Sequence, residues 1–565
     1  MSFQTINELF EQNVNRYAKL NLTIERIDSL KGKPINLKLS FAEIRTQSRK
    51  LADVLESFGH LKADPIAIWA YNSSRWIIAD LAIMKQGAAS LGIHPDASDD
   101  ELVYILKTAQ VKTIFIQDQK FLNKLKRIST IHKLPLVDIV ILDPKLTAIP
   151  EAFLNVRIHL WEPLLAKEQS RSVAAEKISV NAEDIACIAV SAGTETSPRL
   201  VSISHKSLLI NVLDISKTLA IGRRELYLAV NSFAILTEKL LSFYNSFLRG
   251  FSLYIPTDIR AYLADLESKN VSICSVSPRV LNQIQERIFI DLNSRPLLKF
   301  LMKVPLLDIW ARSEIRKSLA PQLKFFICYG DILSPRLEAI LKGYGMKVVH
   351  AYSLVEAAGI VALSSPSKSV SASAGKILKN NRFKTITGGE LLLAGDNLIR
   401  SYYADSSHGE AFIHEDEETW FRTGDVATVK QQQVFISGRI KDTITTKAGK
   451  KVLTNRIEAL LEGIPYVIDA VLVGQGKEFV SALISVNEEV FRLMYQKIDK
   501  YSITRQCEID VAAINQILND FEQVRKFVIL DQSLSVARGE LTSTLKKTRQ
   551  VIHDNYREKI EAIYS

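Results

Sequence analysis

The stretch FRTGDVATVKQQQVFISGRIKDTITTKAGKKV, residues 421–452, decides how the rest of the chain is interpreted. Thr423-Gly424-Asp425 predicts a turn that presents a carboxylate, and Gly438-Arg439 places a cation at the end of a predicted strand. A carboxylate accepts hydrogen bonds from hydroxyls and an arginine pairs with oxyanions, so together they can hold a sugar diol and a phosphate. A surface hairpin with charged turns is the alternative interpretation of the same residues.

Upstream of this stretch, helical and strand patterns alternate along the chain. Ser40 opens FAEIRTQSRKLADVLESFG, whose apolar residues have helical spacing, and Gly59 is a stop signal. Strands that alternate with helices indicate an α/β fold with mostly parallel sheets covered on both faces. The predicted strands are PIAIWA (65–70), ASLGIHP (89–95), TIFIQ (113–117) and VDIVIL (137–142).

The pattern changes twice in the second half of the chain. A serine-rich patch, SSPSKSVSASAG (364–375), precedes short strands that we expect to form a small β-subdomain. After Gly438 the pattern is that of a compact α+β unit, with RIEALLEG (456–463) as a helix and SALISV (481–486) as a strand. We therefore expect a large N-terminal domain over residues 1–438 and a smaller, mobile C-terminal domain over 439–565.

Composition excludes several classes of protein. The chain is 47% hydrophobic and 24% charged, as folded soluble proteins are, and it contains no uncharged apolar run of 18 residues, so we expect no transmembrane helix. The net charge of +10 is spread along the chain, which favours a solvated basic surface over a nucleic-acid-binding face. Attraction to acidic ligands or to an anionic membrane remains an alternative.

The expected location is cytoplasmic, with peripheral contact at the inner membrane face as a further option. The four cysteines are scattered without metal-binding spacing and are typical of core residues in a reducing compartment. The N-terminal segment carries Glu8 and Glu11 among helically spaced apolar residues, so it is not expected to be a secretory signal. Nothing in the sequence indicates the oligomeric state.

The T-G-D, G-R-x-K-D and G-K-x-V elements of residues 421–452 resemble the hinge region of the adenylate-forming superfamily, which includes acyl-CoA synthetases. The resemblance implies that Asp425 binds the ribose hydroxyls and that Arg439 contacts the nucleotide. It also implies that Lys441 is the hinge of the small domain and that Ala448, Gly449 and Lys450 lie near the CoA channel. Three further segments are similar to long-chain fatty acyl-CoA synthetases: residues 73–106, 273–288 and 539–564.

The same resemblance assigns the rest of the candidate site. In GELTSTLKKTRQ, Lys546 takes the place of the lysine that contacts the carboxylate and the α-phosphate during adenylation. In HAYSLVEAAG, Tyr352 would stack on adenine and Glu356 would be the catalytic carboxylate that helps to hold Mg²⁺, which keeps most of its own waters. Gly330, in FFICYGDILSP, would line the adenine and acyl pockets.

The phosphate loop departs from the family pattern. It reads SAGTETSPRL (191–200) where the family has a sequence close to T-S-G-T-T-G-x-P-K-G, so two of three glycines are replaced. Glycines let backbone N–H groups approach phosphates closely, so their loss weakens such a site. Glu195 adds a negative charge where the phosphates of ATP would lie, and like charges ~4 Å apart cost about 4 kcal/mol at an effective dielectric near 20. By resemblance the nucleotide contacts of this loop are Ser191, Gly193, Thr194 and Arg199. Three further departures are Ile235 for a histidine, Ser353 for a glycine and Val355 for a threonine.

Three functions follow as alternatives. The favoured one is an ATP-dependent ligase that activates a fatty acid to acyl-AMP and transfers it to CoA, with ATP, Mg²⁺ and CoA required. The second is a catalytically impaired scaffold that binds an acyl ligand, a nucleotide or a protein partner, which the altered phosphate loop favours. The third transfers the acyl group to a carrier protein's thiol.

Overall fold

The computed structural model describes residues 3–28, 34–146, 156–166, 179–191, 198–256, 262–305, 307–399, 402–403, 411–415, 417–496 and 499–565. The strands, in chain order, are β1 (Asn21–Asp28), β2 (Pro34–Ser40), β3 (Pro65–Trp69), β4 (Ala89–Ile93), β5 (Thr113–Ile116), β6 (Asp138–Ile141), β7 (Arg157–Leu160), β8 (Ile185–Ser191), β9 (Arg199–Ser204), β10 (Leu226–Leu228), β11 (Ser252–Ile255), β12 (Ile273–Val276), β13 (Phe325–Tyr329), β14 (Val348–Leu354), β15 (Gly359–Leu363), β16 (Gly375–Ile377), β17 (Asn381–Thr385), β18 (Glu390–Gly395), β19 (Phe412–Glu415), β20 (Glu418–Lys430), β21 (Gln433–Arg439), β22 (Thr443–Thr445), β23 (Lys451–Leu453), β24 (Val467–Val473), β25 (Val480–Val486) and β26 (Val524–Ile529).

The helices are α1 (Ile6–Tyr17), α2 (Phe41–Glu56), α3 (Ser74–Lys85), α4 (Asp99–Thr108), α5 (Gln119–Ser129), α6 (Trp161–Ala166), α7 (His205–Leu219), α8 (Leu236–Lys239), α9 (Asn245–Arg249), α10 (Tyr262–Ser268), α11 (Pro278–Asn293), α12 (Pro296–Leu301), α13 (Leu307–Leu319), α14 (Pro335–Gly343), α15 (Thr454–Glu462), α16 (Glu488–Tyr495), α17 (Lys500–Asn515), α18 (Arg549–Asn555) and α19 (Arg557–Tyr564). Short helical turns lie at Leu240–Tyr244, Val355–Ala357, Ile440–Asp442 and Asp520–Glu522.

The strands form two large sheets and two small ones. A seven-stranded sheet has the order β7-β6-β5-β3-β4-β8-β9, parallel except for the pair β8–β9. A second sheet has the order β17-β18-β20-β21-β16-β15-β14-β13-β12-β10-β11-β1-β2, with β19 beside β20, and its strands from β10 to β14 are parallel. The described residues after Asp442 form the pair β22–β23 and the sheet β24-β25-β26. The predicted α/β class is confirmed.

The local sequence explains these elements. Strands β3, β4, β5 and β6 are apolar runs buried at every position, as parallel strands covered on both faces must be. Ser40 caps α2 as predicted: its hydroxyl accepts from the Glu43 N–H while Glu43 accepts from the Ser40 N–H, a reciprocal box typical of helix starts. Gly59 follows with φ +73°, a conformation that glycine adopts without strain.

The buried hydrophobic residues form separate clusters before and after the turn Ile440–Asp442. Three large clusters lie between the sheets and helices before residue 403, and a smaller one lies under β14–β21. Two further clusters lie in the C-terminal part of the chain. The buried side chains of one come from residues between 444 and 524, and those of the other from residues between 471 and 563. Among the described helices, none is both long enough and apolar enough to cross a bilayer.

Candidate functional site

A cavity of about 1650 Å³ lies where the parallel strands of both large sheets end. Its wall includes His94 after β4, Ser277 after β12 and Gly330 after β13. Ligands of open α/β sheets bind at the carboxyl ends of the strands, because loops leave the sheets there and helix N-termini point to it. The segment Thr542–Arg549 near the C-terminus also lines the cavity, so both halves of the chain contribute to it.

Asp425 and Arg439 form the polar centre of this site. They lie on the antiparallel strands β20 and β21 and are register partners, which is why residues 14 apart in sequence face each other. The Arg439 Nε donates to Asp425 Oδ1 at 2.9 Å, and the Tyr352 hydroxyl donates to Asp425 Oδ2 at 2.6 Å. The structure therefore brings together three residues that the sequence predicted to bind a nucleotide.

The electrostatics of this trio follow from burial. Asp425 is only 2% exposed, and its backbone N–H donates to the Thr423 hydroxyl at 3.0 Å. Burial, reinforced by the Asp425 carboxylate, raises the pKa of Tyr352 well above its ordinary value, so its hydroxyl remains a donor. Burial alone would lower the pKa of Arg439, but Asp425, Tyr352 and Asp442 together outweigh it and the pKa is raised. The centre therefore offers carboxylate oxygens to hydroxyl donors and a guanidinium to an oxyanion.

Lys546 lies close to this centre, on the short β-bridge that pairs Leu541 with Lys547. Burial lowers the pKa of its ammonium, the Arg439 guanidinium acts in the same direction, and Asp331 and Asp425 oppose both. Because the Lys546 ammonium interacts electrostatically with Asp425 and Arg439, it can contact a ligand that binds to both of them.

The segment that carries Lys546 is anchored by a buried carboxylate of α15. Glu458, 2% exposed, accepts from Lys547 Nζ at 2.9 Å and from Arg549 Nη1 at 2.8 Å. Burial raises the pKa of Glu458, but Arg549 and Lys547 outweigh that effect and lower it to about 2. Lys547 and Arg549 are therefore structural cations held by Glu458, whereas Lys546, which precedes them and also lines the cavity, has no part in that ion-pair cluster.

Glu356 lies beside the cavity wall, in the helical turn Val355–Ala357. The Tyr402 hydroxyl donates to Glu356 Oε1 at 3.3 Å, and the Arg199 guanidinium carbon lies 5.0 Å from the centre of the Tyr402 ring. Burial, with the Glu356 carboxylate, raises the pKa of Tyr402 to about 12. Sequence reasoning missed Tyr402, because one tyrosine of a Ser-Tyr-Tyr run has no spacing that indicates its partners.

The two ends of the phosphate loop face each other. Ser191 ends β8, Arg199 begins β9, and the two are register partners. Pro198 lines the cavity, whereas Ser191 and Arg199 are not among its lining residues. Gly193 and Thr194 fall outside the described residues, as does Glu195, so their assignments stay predictions.

Gly330 shapes the cavity floor as predicted for a lining residue. Its φ is +100°, and a Cβ built there would meet no atom within 4 Å, so the backbone conformation and not a lack of space favours glycine. Asp331 follows it, lines the cavity and acts on Lys546. The sequence pattern did not single out Asp331.

The predicted hinge and channel residues are not among the residues that line the cavity. Lys441 is an exposed residue of the turn Ile440–Asp442, which joins β21 to the C-terminal elements. Ala448, Gly449 and Lys450 are exposed at the tip of the β22–β23 hairpin, where Gly449 has φ +74°. In this structure the hairpin tip does not meet Asp425, Arg439 or Lys546.

Part of the cavity wall is apolar. The three departures from the family pattern outside the phosphate loop, Ile235, Ser353 and Val355, all line the cavity. Further apolar lining residues come from several elements: Val230, Leu236, Leu263, Val280 and Ile290. A cavity that combines apolar lining residues with a polar centre fits a ligand with a hydrocarbon tail and a charged head.

Comparisons with known proteins agree with this geometry. A family model described as AMP-binding enzyme matches residues 25–403, and one described as AMP-binding enzyme C-terminal domain matches residues 441–565. The long-chain-fatty-acid–CoA ligase FadD15 of Mycobacterium bovis is 24% identical to this chain, over 93% of the chain and 92% of the relative. The long-chain-fatty-acid–[acyl-carrier-protein] ligase AEE15 of Arabidopsis thaliana, a chloroplastic protein, is 21% identical over 94% of the chain and 83% of the relative.

The structural comparison concerns the fold. The crystal structure of the anthranilate CoA ligase AuaEII in complex with anthranoyl-AMP superposes with a TM-score of 0.79 and 16% sequence identity, covering 99% of this chain and 98% of that one.

Proposed function

We propose that this chain, which belongs to the family of AMP-binding enzymes, activates a fatty acid to acyl-AMP with ATP and transfers the acyl group to CoA. The family matches confirm the resemblance to adenylate-forming enzymes that the sequence indicated. One observation carries the proposal: Lys546 and the Asp425–Arg439 pair line one cavity, close enough for their charges to interact, and apolar side chains line the same cavity.

The proposed first step forms the adenylate. Asp425 accepts from the ribose hydroxyls, Arg439 pairs with the nucleotide, and the aromatic ring of Tyr352 lies against the adenine. The fatty acid's carboxylate oxygen attacks the α-phosphorus of ATP, the bond from that phosphorus to the bridging oxygen breaks, and pyrophosphate leaves with the electron pair. Lys546 stabilises the charge that moves from carboxylate to pyrophosphate, because a preorganised cation in a water-poor site acts most strongly where charge develops.

Magnesium fits this arrangement through one carboxylate. Glu356 is half-buried beside the cavity and is fixed by a hydrogen bond from Tyr402. Mg²⁺ held by one protein carboxylate and the substrate phosphates would neutralise the pyrophosphate as it leaves. Within the described residues, no group of three or more His, Cys, Asp or Glu side chains is arranged to hold a metal ion. The substrate phosphates and water would therefore supply the other ligands of the Mg²⁺.

The proposed second step needs the C-terminal part to rotate. Residues 1–438 and 439–565 are proposed as the two domains, with Lys441 at the hinge. Rotation would bring Gly449 and Lys450, now exposed at the hairpin tip, to a channel for CoA. The CoA sulfur then attacks the acyl carbonyl carbon, the carbon–oxygen bond to AMP breaks, and AMP leaves as the thiol's proton passes to solvent.

Buried cysteines support a cytoplasmic setting for this chemistry. All four, which lie within the described residues, are buried free thiols, as expected in a reducing compartment.

The carrier-protein alternative keeps the first step and changes the acceptor, and the relative AEE15 carries that acceptor in its name. The binding-protein alternative is favoured by the substituted phosphate loop. Product analysis distinguishes the proposed activity from the carrier-protein alternative. Mass spectrometry would find acyl-CoA for the proposed activity and no acyl-CoA for transfer to a carrier alone.

The deciding experiment has two readouts. Calorimetry with ATP and Mg²⁺ is expected to show saturable binding that Asp425→Ala weakens at least about tenfold, since hydrogen bonds to a charged group are worth about 1.5–3 kcal/mol. Pyrophosphate exchange with a fatty acid is expected to fall about 100- to 1,000-fold in Lys546→Ala while ATP binding is kept. Matched controls are Asp520→Ala and Lys559→Ala, whose side chains form ion pairs on the exposed surface.

Two results of these experiments would contradict the proposal or a part of it. Absence of ATP binding by folded wild-type protein would overturn the proposal in favour of the binding scaffold. Exchange that survives in Lys546→Ala would remove Lys546 from the mechanism.

A further inference from the structure

Helices α12 and α13 expose an unusual amount of apolar side chain. Of the twenty large hydrophobic residues exposed in the described part of the chain, five lie within the fourteen positions 297–310. They are Leu297 (68% exposed), Phe300 (63%), Leu307 (43%), Ile309 (67%) and Trp310 (50%). We call these five side chains the apolar patch. Large apolar side chains that are exposed together on neighbouring elements indicate a site of interaction.

The patch is not a consequence of loose packing. Leu298, Ala311, Ile315 and Leu319 of the same two helices are buried in the core that surrounds β12 and β13. Ile309 precedes the buried Ala311 by two positions, which on a helix turns it to the opposite side. The helices are therefore anchored by one stripe and present a second apolar stripe to solvent.

Basic residues surround the patch. Lys299 and Lys303 are exposed between its members, and residues 295–317 contain six Lys or Arg against two Asp or Glu. Helices that rest at a bilayer surface combine Trp, Phe and Leu on one side with Lys and Arg nearby, because the apolar groups enter the headgroup region and the cations meet anionic lipid. Trp310 has the ring type that prefers the interface itself.

The patch is also next to the cavity. α12 and α13 both pack against α11, and α11 contributes Val280, Gln283, Arg287 and Ile290 to the cavity wall. Ile290 precedes the first residue of α12 by only six positions. A surface that rests on a membrane there would hold this side of the cavity close to the lipid.

We propose that the apolar patch, with Lys299 and Lys303, is a docking surface for an anionic bilayer. A second copy of this chain fits less well, because a twofold contact through the patch would bring like-charged lysines together. Docking does not depend on the proposed function, whereas delivery of a membrane-borne fatty acid into the cavity rests on it. The test therefore contains neither ATP nor CoA.

The test is cosedimentation of the full chain with vesicles of phosphatidylcholine, with or without phosphatidylglycerol, at low and high salt. Wild type is expected to bind the anionic vesicles and to lose binding at high salt. The variant Leu297→Ser/Phe300→Ser/Ile309→Ser/Trp310→Ser is expected to bind at least tenfold more weakly. The control Leu61→Ser/Ile131→Ser/Ile509→Ser/Ile517→Ser removes equally exposed residues elsewhere and is expected to bind as wild type does.

A spectroscopic readout protects the test from a folding artefact. Trp310 emission is expected to shift to shorter wavelength on vesicles, and Trp310→Phe is expected to abolish the shift while binding is kept. Equal binding by the patch variant and the control, with both folded, would overturn the proposal. So would a wild-type dimer that the patch variant converts to monomer with no change in vesicle binding, since the patch would then be an interface between copies.

Discussion

Glu238 is a carboxylic acid with no exposed surface at the edge of the cavity. Its carboxylate accepts from the Tyr227 hydroxyl at 3.0 Å, from the Tyr329 hydroxyl at 3.1 Å and from Ser275. Burial raises the pKa of Glu238 from 4.5 to about 7, although these hydrogen bonds hold it down in part. The folded protein therefore binds a proton between pH 4.5 and 7 that the unfolded chain has released.

This residue predicts a pH dependence of stability. Because the folded pKa is raised, the contribution of Glu238 is fully present below pH 4.5 and is lost as the pH rises to about 7, by about 3 kcal/mol in total. In Glu238→Gln this part of the pH dependence should disappear, which urea unfolding at several pH values would measure. Glu478→Gln, three-quarters exposed, is the control. A wild type and a Gln variant whose stabilities run in parallel across this range would contradict the prediction.

At the scale of elements, the β-bridge segment that carries Lys546 is anchored by Glu458 of α15. Removing the Glu458 carboxylate takes from Lys547 and Arg549 their shared buried partner, although Lys547 keeps Glu462 at 2.8 Å and Arg549 keeps Asp442 at 3.4 Å. We expect Glu458→Gln to lower the free energy of unfolding at pH 7 by about 3 kcal/mol, since breaking a buried ion pair costs about 3–5 kcal/mol. Hydrogen exchange should increase in residues 541–549.

The pH dependence of the free energy of unfolding provides a second test of the role of Glu458. Its folded pKa of about 2 is depressed, so its contribution is present above pH 4.5 and is lost as the pH falls toward about 2. Glu561→Gln, at an exposed ion pair with Lys477, is the control. Unchanged exchange in residues 541–549 of Glu458→Gln would show that the segment is held by other contacts.

At the scale of the whole molecule, an ion pair between α11 and β24 links the two halves of the chain. Arg279 of α11 donates to Asp469 of β24 at 2.8 Å, and Asp469 is 1% exposed and also accepts from Ser485 and the Leu534 N–H. The contact holds the C-terminal part over the cavity, in the arrangement that presents Lys546 to Asp425. It is absent from any arrangement in which β24 moves away from α11.

We therefore expect Arg279→Leu to favour the rotated arrangement. Pyrophosphate exchange should slow several-fold, and small-angle X-ray scattering should show a larger radius of gyration, because the ion pair stabilises only one of the two states. Arg127→Leu removes a more exposed ion pair, with Asp99, inside the N-terminal half and should change neither quantity. An unchanged exchange rate in Arg279→Leu would mean that the pair does not decide between the two arrangements.

What the sequence determined was mostly local. Apolar runs between helical patterns predicted the buried parallel strands, since burial on both faces requires apolar residues at every position. Motif spacing predicted that Asp425 and Arg439 act together, because two strands joined by a short turn pair in a defined register. The roles of all the predicted site residues remain predictions from the sequence, and Gly193 and Thr194 also lie outside the described residues.

The tertiary structure alone decided what lies together across long distances and what lies outside. Tyr402 meets Glu356 and Arg199, and Lys546 lies close enough to Asp425 for their charges to interact, only because separate elements converge, and no local pattern encodes that convergence. Likewise LLKFLMKVPLLDIW (297–310) has the composition of a core segment, yet the structure exposes five of its apolar side chains. Hydrophobicity specifies that a side chain favours burial, whereas whether a covering surface exists depends on the packing of the whole chain.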